Sequence, residues 1–223
     1  MNQNYSTVAR RSSSALATNK VLRNTYMLLS LTLLFSGLTA AISMFMNMPP
    51  MTYLISVIGG MVIAMFVLPR FANSTAGIGI VFLITGMLGF GLGPILSMYA
   101  SLPNGSNIIT LSLGGTGVIF MGLSAYALTT RKDFSFLGGF LMVGFLLVLL
   151  AAVANIFLAI PAMSLMISAV VIMIMSGFIL YDTSRIIHGG ETNYVLATIG
   201  LYMTIFNIFI SLLQILGIMG NDD

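Results

Sequence analysis

Residues Phe140–Ala154 read FLMVGFLLVLLAAVA, a run in which no side chain is polar. A membrane β-barrel would alternate apolar and polar residues along each strand, because one face meets lipid and the other faces the lumen. This run is apolar on every side, which is typical of a helix surrounded by hydrocarbon. Although the chain contains many β-branched residues, we therefore predict helices rather than strands.

The composition excludes several classes of protein. The chain has 223 residues, of which 58% are hydrophobic and 6% are charged, whereas a soluble domain carries about 25% charged residues. A soluble globule and a polar, disordered chain are therefore both excluded. With no Cys and a single His, we expect no metal and no cofactor. The net charge of +3 reflects a scarcity of acids, so we expect no nucleic-acid partner.

The apolar runs predict the number of spans. A helix needs about 20 mainly apolar residues to cross the bilayer core, and turn residues such as Met48-Pro49-Pro50 and Gly189-Gly190 separate such runs here. We predict an all-α polytopic membrane protein with one transmembrane domain, residues 25–219. Its seven predicted spans are 25–46, 51–69, 76–99, 107–129, 135–158, 162–187 and 195–218.

Basic residues predict the orientation of the chain, because Lys and Arg concentrate in cytoplasmic loops. With seven spans, all eight basic residues fall on one side of the membrane. We therefore predict a cytoplasmic N-terminus and a C-terminus on the opposite side. The eight residues are Arg10, Arg11, Lys20, Arg23, Arg70, Arg131, Lys132 and Arg185.

The two ends of the chain are polar. Residues 1–24 are basic and include Ser12-Ser13-Ser14. They lack the short apolar stretch and the cleavage site of a signal peptide, so we expect a cytoplasmic tail followed by an uncleaved first span. Residues 220–223 are expected to form a short end beyond the last span.

Asp182 is the only acidic residue within a predicted span. A charge at membrane depth usually faces the protein interior or a cavity. One interpretation is a local pair with Arg185, three residues on and on the same helix face. The other is a buried carboxylate with a pH-sensing or gating role, whose protonation shifts helix packing. Both stay open from the sequence.

The last span carries a polar stripe within an arc of about 80°, at 100° per residue. Such a stripe should face protein, because lipid would leave its donors unpaired. Hydrogen bonding between helices is the favoured interpretation, and the lining of an ion or proton path is the alternative. The last two helices are antiparallel neighbours, so Asp182 could meet the stripe near Thr204. The stripe consists of Gly200, Thr204, Asn207, Ser211 and Gln214.

No catalytic set is visible in the sequence. A Walker loop, a zinc-protease motif and a plausible Ser-His-Asp grouping are all missing. The glycines between Gly86 and Gly93 lie in apolar runs, where small residues let helices approach closely. His188 and Glu191 flank a Gly-Gly turn and are most simply residues of a solvated loop. We therefore predict that the chain is not an enzyme.

The segment Tyr181–Tyr194 (YDTSRIIHGGETNY) resembles the signature of the Bax inhibitor-1 family of membrane proteins. Leu201–Phe209 (LYMTIFNIF) is similar to the last helix of that family, and Lys20–Tyr26 (KVLRNTY) and Leu128–Asp133 (LTTRKD) extend the likeness toward the N-terminus. The pattern resembles the bacterial YccA branch in particular. The most specific part is the loop containing His188, Gly189, Gly190, Glu191 and Asn193.

The resemblance implies a fold in which the last helix is surrounded by the other six, in a bacterial inner membrane with the C-terminus in the periplasm. The YccA branch is associated with binding and restraining the FtsH membrane protease, and the wider family with a pH-sensitive calcium leak. In the leak model, two aspartates on the last two helices share a proton, helped by an arginine on the second helix. Asp182 matches the first aspartate, but Thr204 stands at the second and Arg70 is only at the end of the second span.

Two functional hypotheses follow. The first is a regulatory protein that binds FtsH, with the basic tail as the segment that the protease would grip. The alternative is a pathway for calcium or another cation, gated around Asp182, Thr204 and Asn207. Arg185, Ser211 and Gln214 would then be supporting polar residues. In both cases membrane lipid surrounds the chain.

Overall fold

The computed structural model of the protein describes residues 3–220, with side chains from Thr18 onward. That part of the chain is helical without β-strands, and seven of its helices are long and apolar enough to cross a membrane. The predicted all-α, seven-helix architecture is therefore confirmed. The helices are α1 (Gln3–Phe45), α2 (Met51–Phe71), α3 (Thr75–Ala100), α4 (Gly105–Thr130), α5 (Leu137–Leu158), α6 (Pro161–Ile187) and α7 (Tyr194–Met219).

The start of α1 differs most from the predicted spans. Its apolar part runs over Thr18–Phe45, but the backbone is helical from Gln3, so most of the predicted tail continues the first helix. The backbone groups of a helix hydrogen-bond to one another, so a helix can pass from lipid into water without a break. Hydropathy, by contrast, marks only where the apolar part of the helix begins. The side chains of Arg10 and Arg11, and residues 221–223, lie outside the described part of the structure.

A short π-helical segment, Ile63–Val67, interrupts α2 just before Pro69. Proline has no backbone N–H and cannot continue the hydrogen-bond pattern of the preceding turn. Here the N–H of Leu68 donates to the carbonyl of Ile63, five residues back. The helix absorbs the proline in this way and continues to Phe71.

The last helix lies at the centre of the domain. In its most apolar window 67% of the residues are buried, against 6% in α5. It packs directly against α1, α3, α4 and α6, while α2 packs mainly on α3 and α5 on α6. The enclosure predicted for the last helix is thus provided by four direct neighbours, with α2 and α5 in an outer layer.

Close packing of α1 on α3 depends on glycine. A Cβ atom at Gly89 would overlap the backbone carbonyl of Ser36, and one at Gly93 would overlap the side chain of Ser43. Small residues of this kind let two membrane helices approach until their backbones touch. This contact fixes the position of Ser36, which faces α7.

Three sets of hydroxyl groups join α7 and α6 to α1. The Tyr202 hydroxyl lies 2.6 Å from Ser36 Oγ and donates to the Thr85 carbonyl on α3 at 3.3 Å. Thr198 Oγ1 donates to the Thr25 carbonyl at 3.3 Å. On α6, Thr183 Oγ1 lies 3.4 Å from the Tyr26 hydroxyl. Helix α1 is therefore held against α6 and α7 between Thr25 and Ser36.

Candidate functional site

The loop between α6 and α7, His188–Asn193, is here called the signature loop. Gly189 has a φ of 76°, in the left-handed region that glycine adopts most easily at the end of a helix. The turn lets the N–H groups of Gly190 and Glu191 donate to the Arg185 carbonyl, at 2.8 and 3.1 Å. The Gly-Gly pair of the family signature thus ends α6 and returns the chain toward α7.

Asn193 begins α7 and joins the signature loop to the loop between α2 and α3. Its Oδ1 accepts from the N–H groups of Val195 and Leu196, at 2.9 and 3.2 Å, which caps the helix. Its Nδ2 donates to the Ala72 carbonyl at 3.0 Å and to Asn73 Oδ1 at 2.8 Å. A single amide therefore both starts the last helix and holds a neighbouring loop.

Ser184, which was not among the predicted site residues, joins α6 to the loop between α4 and α5. Its Oγ accepts from the Phe134 N–H at 2.9 Å and lies 3.3 Å from the Lys132 carbonyl. His188 Nδ1 lies 2.9 Å from the Ser184 carbonyl, so the histidine folds back on the same turn. The signal available in the sequence was a serine inside the family signature, one turn before His188.

Next to this contact, Asp133 organises the start of α5. Its Oδ1 accepts from the Ser135 N–H at 2.9 Å, and this hydrogen bond holds the pKa of the exposed carboxyl below its usual range. A carboxylate with a lowered pKa in the folded state favours folding above its ordinary pKa. That contribution is lost as the pH falls through the lowered value.

Arg185 pairs with Glu191 and not with Asp182. In the described part of the chain, the ion pair within 4.0 Å joins Arg185 Nη2 to Glu191 Oε2, at 3.6 Å. The same guanidinium donates to the Gly190 carbonyl at 3.2 Å and lies over the Tyr181 ring, 5.5 Å from its centroid. The local Asp182–Arg185 pair, one of the two interpretations that the sequence left open, is not formed, because the Gly-Gly turn brings Glu191 back over the end of α6.

Asp182 lines a small cavity of about 110 Å³ beneath the signature loop. Arg185 and Glu191 line one side of it, and α7 contributes the other side at Ala197 and Gly200. Asp182 Oδ2 lies 3.5 Å from the position that a Cβ on Gly200 would occupy. The carboxylate thus faces α7 where that helix has no side chain.

The expected partners of Asp182 bond elsewhere. Thr204 Oγ1 donates to the Gly200 carbonyl at 3.1 Å, and Asn207 Nδ2 donates to the Met203 carbonyl at 2.8 Å. Among the described residues, no hydrogen bond joins either side chain to Asp182. Both groups are satisfied within α7, one turn back along the helix.

The remaining residues of the polar stripe support helix packing. Gln214 Oε1 accepts from Ser168 Oγ on α6 at 2.7 Å, and Ser211 is buried. The favoured interpretation, hydrogen bonding between helices, holds at Gln214. Within residues 3–220, no group of three or more acidic or histidine side chains is arranged to hold a metal ion.

Comparisons with known proteins give one consistent result. Residues 18–221 match the family model described as "Inhibitor of apoptosis-promoting Bax1". The chain is 54% identical to "Modulator of FtsH protease YccA" of Escherichia coli K12, over 94% of each chain. It is also 49% identical to an uncharacterized membrane protein of Vibrio cholerae, over 93% of each chain, and 51% identical to an uncharacterized protein of Pseudomonas aeruginosa, over 91% of each chain.

Two substitutions of Asn193 separate its two contacts. We expect Asn193→Ala to lose both the helix cap, at a cost of about 0.5–2 kcal/mol, and the bonds to Ala72 and Asn73. Asn193→Asp keeps an oxygen acceptor for the cap but has no amide donor. Hydrogen–deuterium exchange should therefore rise at residues 70–74 in both variants, while the midpoint of thermal unfolding falls mainly in the alanine variant.

The matched control is Thr192→Ala, which changes the exposed neighbouring residue. It should leave both measurements at the parent values. If Asn193→Asp exchanges at residues 70–74 as slowly as the parent, the amide does not hold that loop.

Proposed function

Because the chain belongs to the Bax inhibitor-1 family, we propose that it is a non-enzymatic regulator in a bacterial inner membrane that binds FtsH and restrains this protease. The observation that carries the proposal is the 54% identity, over almost the whole chain, with a relative named as a modulator of FtsH. A second relative with the same identity is named "Inner membrane protein YccA". Membrane lipid surrounds the chain in this role.

The end of the domain that bears the signature loop is the proposed contact surface. Exposed basic residues at this end include Arg70, Arg131 and Lys132. The contacts of Asn193 and Ser184 hold all three loops of this end together. By the distribution of Lys and Arg, this end lies in the cytoplasm with the N-terminus, and the C-terminus lies in the periplasm.

Resistance to extraction is the proposed mechanism of restraint. A terminal segment is a natural point of attack for an ATP-driven protease, and here such a segment is continuous with α1. Pulling on it would strain the contacts of Thr25, Tyr26 and Ser36 with α6 and α7. These hydrogen bonds use the Thr25 carbonyl and the hydroxyls of Tyr26 and Ser36, and separating buried polar groups from their partners is unfavourable inside a membrane domain. The protease would hold the chain without degrading it.

Deleting residues 2–17 tests whether the protease grips this segment. The apolar part of α1 starts at Thr18, so the deletion leaves the membrane domain intact. We expect the half-life of an FtsH membrane substrate in cells to return to its value without the protein. A Gly/Ser sequence of equal length in place of residues 2–17 is the control, since it keeps the reach of the segment and removes its side chains.

Two further measurements separate failure of the mechanism from failure of the proposed function. Unchanged restraint after the deletion removes the grip mechanism but keeps the proposed function. Failure of the full chain to co-purify with FtsH from native membranes removes the proposed function itself. Reporters fused to the two ends check the orientation, and the proposal fails if the N-terminus reports from the periplasm.

Tyr202→Phe tests the resistance to extraction. The substitution removes the bonds to Ser36 and Thr85, and a contact of this kind contributes about 0.6 kcal/mol on average inside a membrane domain. We expect the half-life of the protein itself to fall several-fold in cells that contain FtsH, and to stay unchanged in cells that lack it. Tyr126→Phe is the control, because Tyr126 is 46% exposed and its hydroxyl lies outside this set of contacts.

A cation pathway at Asp182 is the second candidate function. The observation in its favour is that two acidic side chains, Asp182 and Glu191, line the same cavity. Two observations argue against it. Arg185 lines the same cavity, and Thr204 offers a hydroxyl where the leak model needs a second carboxylate. The regulatory role therefore stays the first proposal.

Calcium flux into proteoliposomes separates the two candidates. The pathway predicts flux above that of empty liposomes, and a clear loss of flux in Asp182→Asn. If the protein is only a regulator, we expect the calcium flux with the parent and with the variant to equal that of empty liposomes. Asp133→Asn is the matched control, since Asp133 is an exposed carboxylate at the same end of the domain.

A further inference from the structure

A groove of about 420 Å³ opens between α1 and α4, in the half of the domain farther from the signature loop. Its floor is α7, with Phe206 and Phe209, and its back wall is α3, at Leu92 and Leu96. Gly37 on α1 lines it and is exposed, so the groove reaches the outer surface of the helix bundle. This surface faces the bilayer hydrocarbon.

A second cavity extends the groove toward the end of the domain. It has a volume of about 580 Å³ and shares Ala41 and Met44 with the groove. Its other lining residues include Phe45 and Ser101, at the ends of α1 and α3. Together the two cavities run alongside the helices from the middle of the membrane to its surface.

Among the described residues, the walls of the groove between α1 and α4 offer no side-chain hydroxyl that lacks a hydrogen-bond partner. The polar side chains of the groove are those of Ser36, Thr116 and Tyr202. The hydroxyls of Ser36 and Tyr202 bond to each other, and Tyr202 also bonds to Thr85. Thr116 Oγ1 donates to the Ser112 carbonyl at 2.6 Å. Water needs two to four polar partners to occupy such a space, so the walls favour an apolar occupant.

We propose that this groove is a lipid-binding site that holds one acyl chain of a phospholipid from the leaflet farther from the signature loop. Voids larger than a water molecule are rare in packed protein, and the medium at the mouth of the groove is acyl chain. The long axis of the two cavities lies along the membrane normal, as an acyl chain does. Ser97 and Ser101 stand at the outer end, where the polar headgroup would be.

A tryptophan placed in the groove tests the proposal, because the chain contains no Trp. Phe206 is 9% exposed and lines the floor. The Phe206→Trp protein is reconstituted in phosphatidylethanolamine and phosphatidylglycerol vesicles with acyl chains that are either brominated near their middle or unmodified. We expect clearly lower emission with the brominated chains than with the unmodified chains, because indole and bromine would share one cavity.

Two glycine substitutions supply matched controls. No atom lies within 4 Å of a Cβ placed on Gly37 or on Gly114, and both residues are exposed, but only Gly37 lines the groove. Added to Phe206→Trp, Gly37→Leu should fill the groove and abolish most of the quenching. Gly114→Leu, on the outer face of α4, should leave the quenching unchanged.

Two results would overturn the proposal. Equal quenching with and without Gly37→Leu would mean that bromines act from outside the groove. An absence of quenching would mean that the groove is empty or is filled by a second copy, and the elution volume in detergent would then identify a dimer. Phe209→Trp, at the same floor, repeats the measurement if the first variant does not fold. None of these outcomes depends on FtsH.

Discussion

The bilayer core offers no hydrogen-bond partners, so every polar group at that depth must bond within the protein. The arrangement of this domain follows from that constraint. Helix α7, which carries a polar stripe along one face, is the most enclosed, and its Thr198, Tyr202 and Gln214 bond to α1, α3 and α6. The almost wholly apolar α5 lies in the outer layer. In the described part of the chain, the buried side-chain polar atoms without a partner are three hydroxyls, those of Thr25, Ser43 and Ser124.

The two ends of the domain satisfy this constraint in different ways. At the end of the signature loop, side chains of Asn193 and Ser184 bond to loops that are distant in sequence. Toward the other end, α1 and α4 leave a groove whose hydroxyls bond only within the protein. The first end is therefore suited to present a fixed surface to another protein, and the second half to accept part of the surrounding lipid.

The sequence was sufficient for the number of helices, because each apolar run matches the thickness of a bilayer and each connection contains turn residues. It also identified α7 as inward-facing from the positions of Thr204, Ser211 and Gln214. It was not sufficient for features that depend on packing. The partner of Arg185 depends on where the Gly-Gly turn places Glu191, and the role of Ser184 depends on a loop fifty residues away. The sequence did not predict that α1 begins at Gln3, because hydropathy identifies apolar segments and does not detect a helix made of polar residues.

The geometry around Asp182 bears on the choice between regulator and cation pathway. A proton shared between two helices needs two groups that compete for it, and a threonine hydroxyl does not titrate in the physiological range. Thr204 is moreover engaged with the Gly200 carbonyl, and Gly200 itself presents only backbone to Asp182. The other charged groups that line the same cavity are Arg185 and Glu191, which pair with each other at 3.6 Å. Position 204 thus offers Asp182 no second carboxylate on α7, which favours the regulatory proposal over the cation pathway.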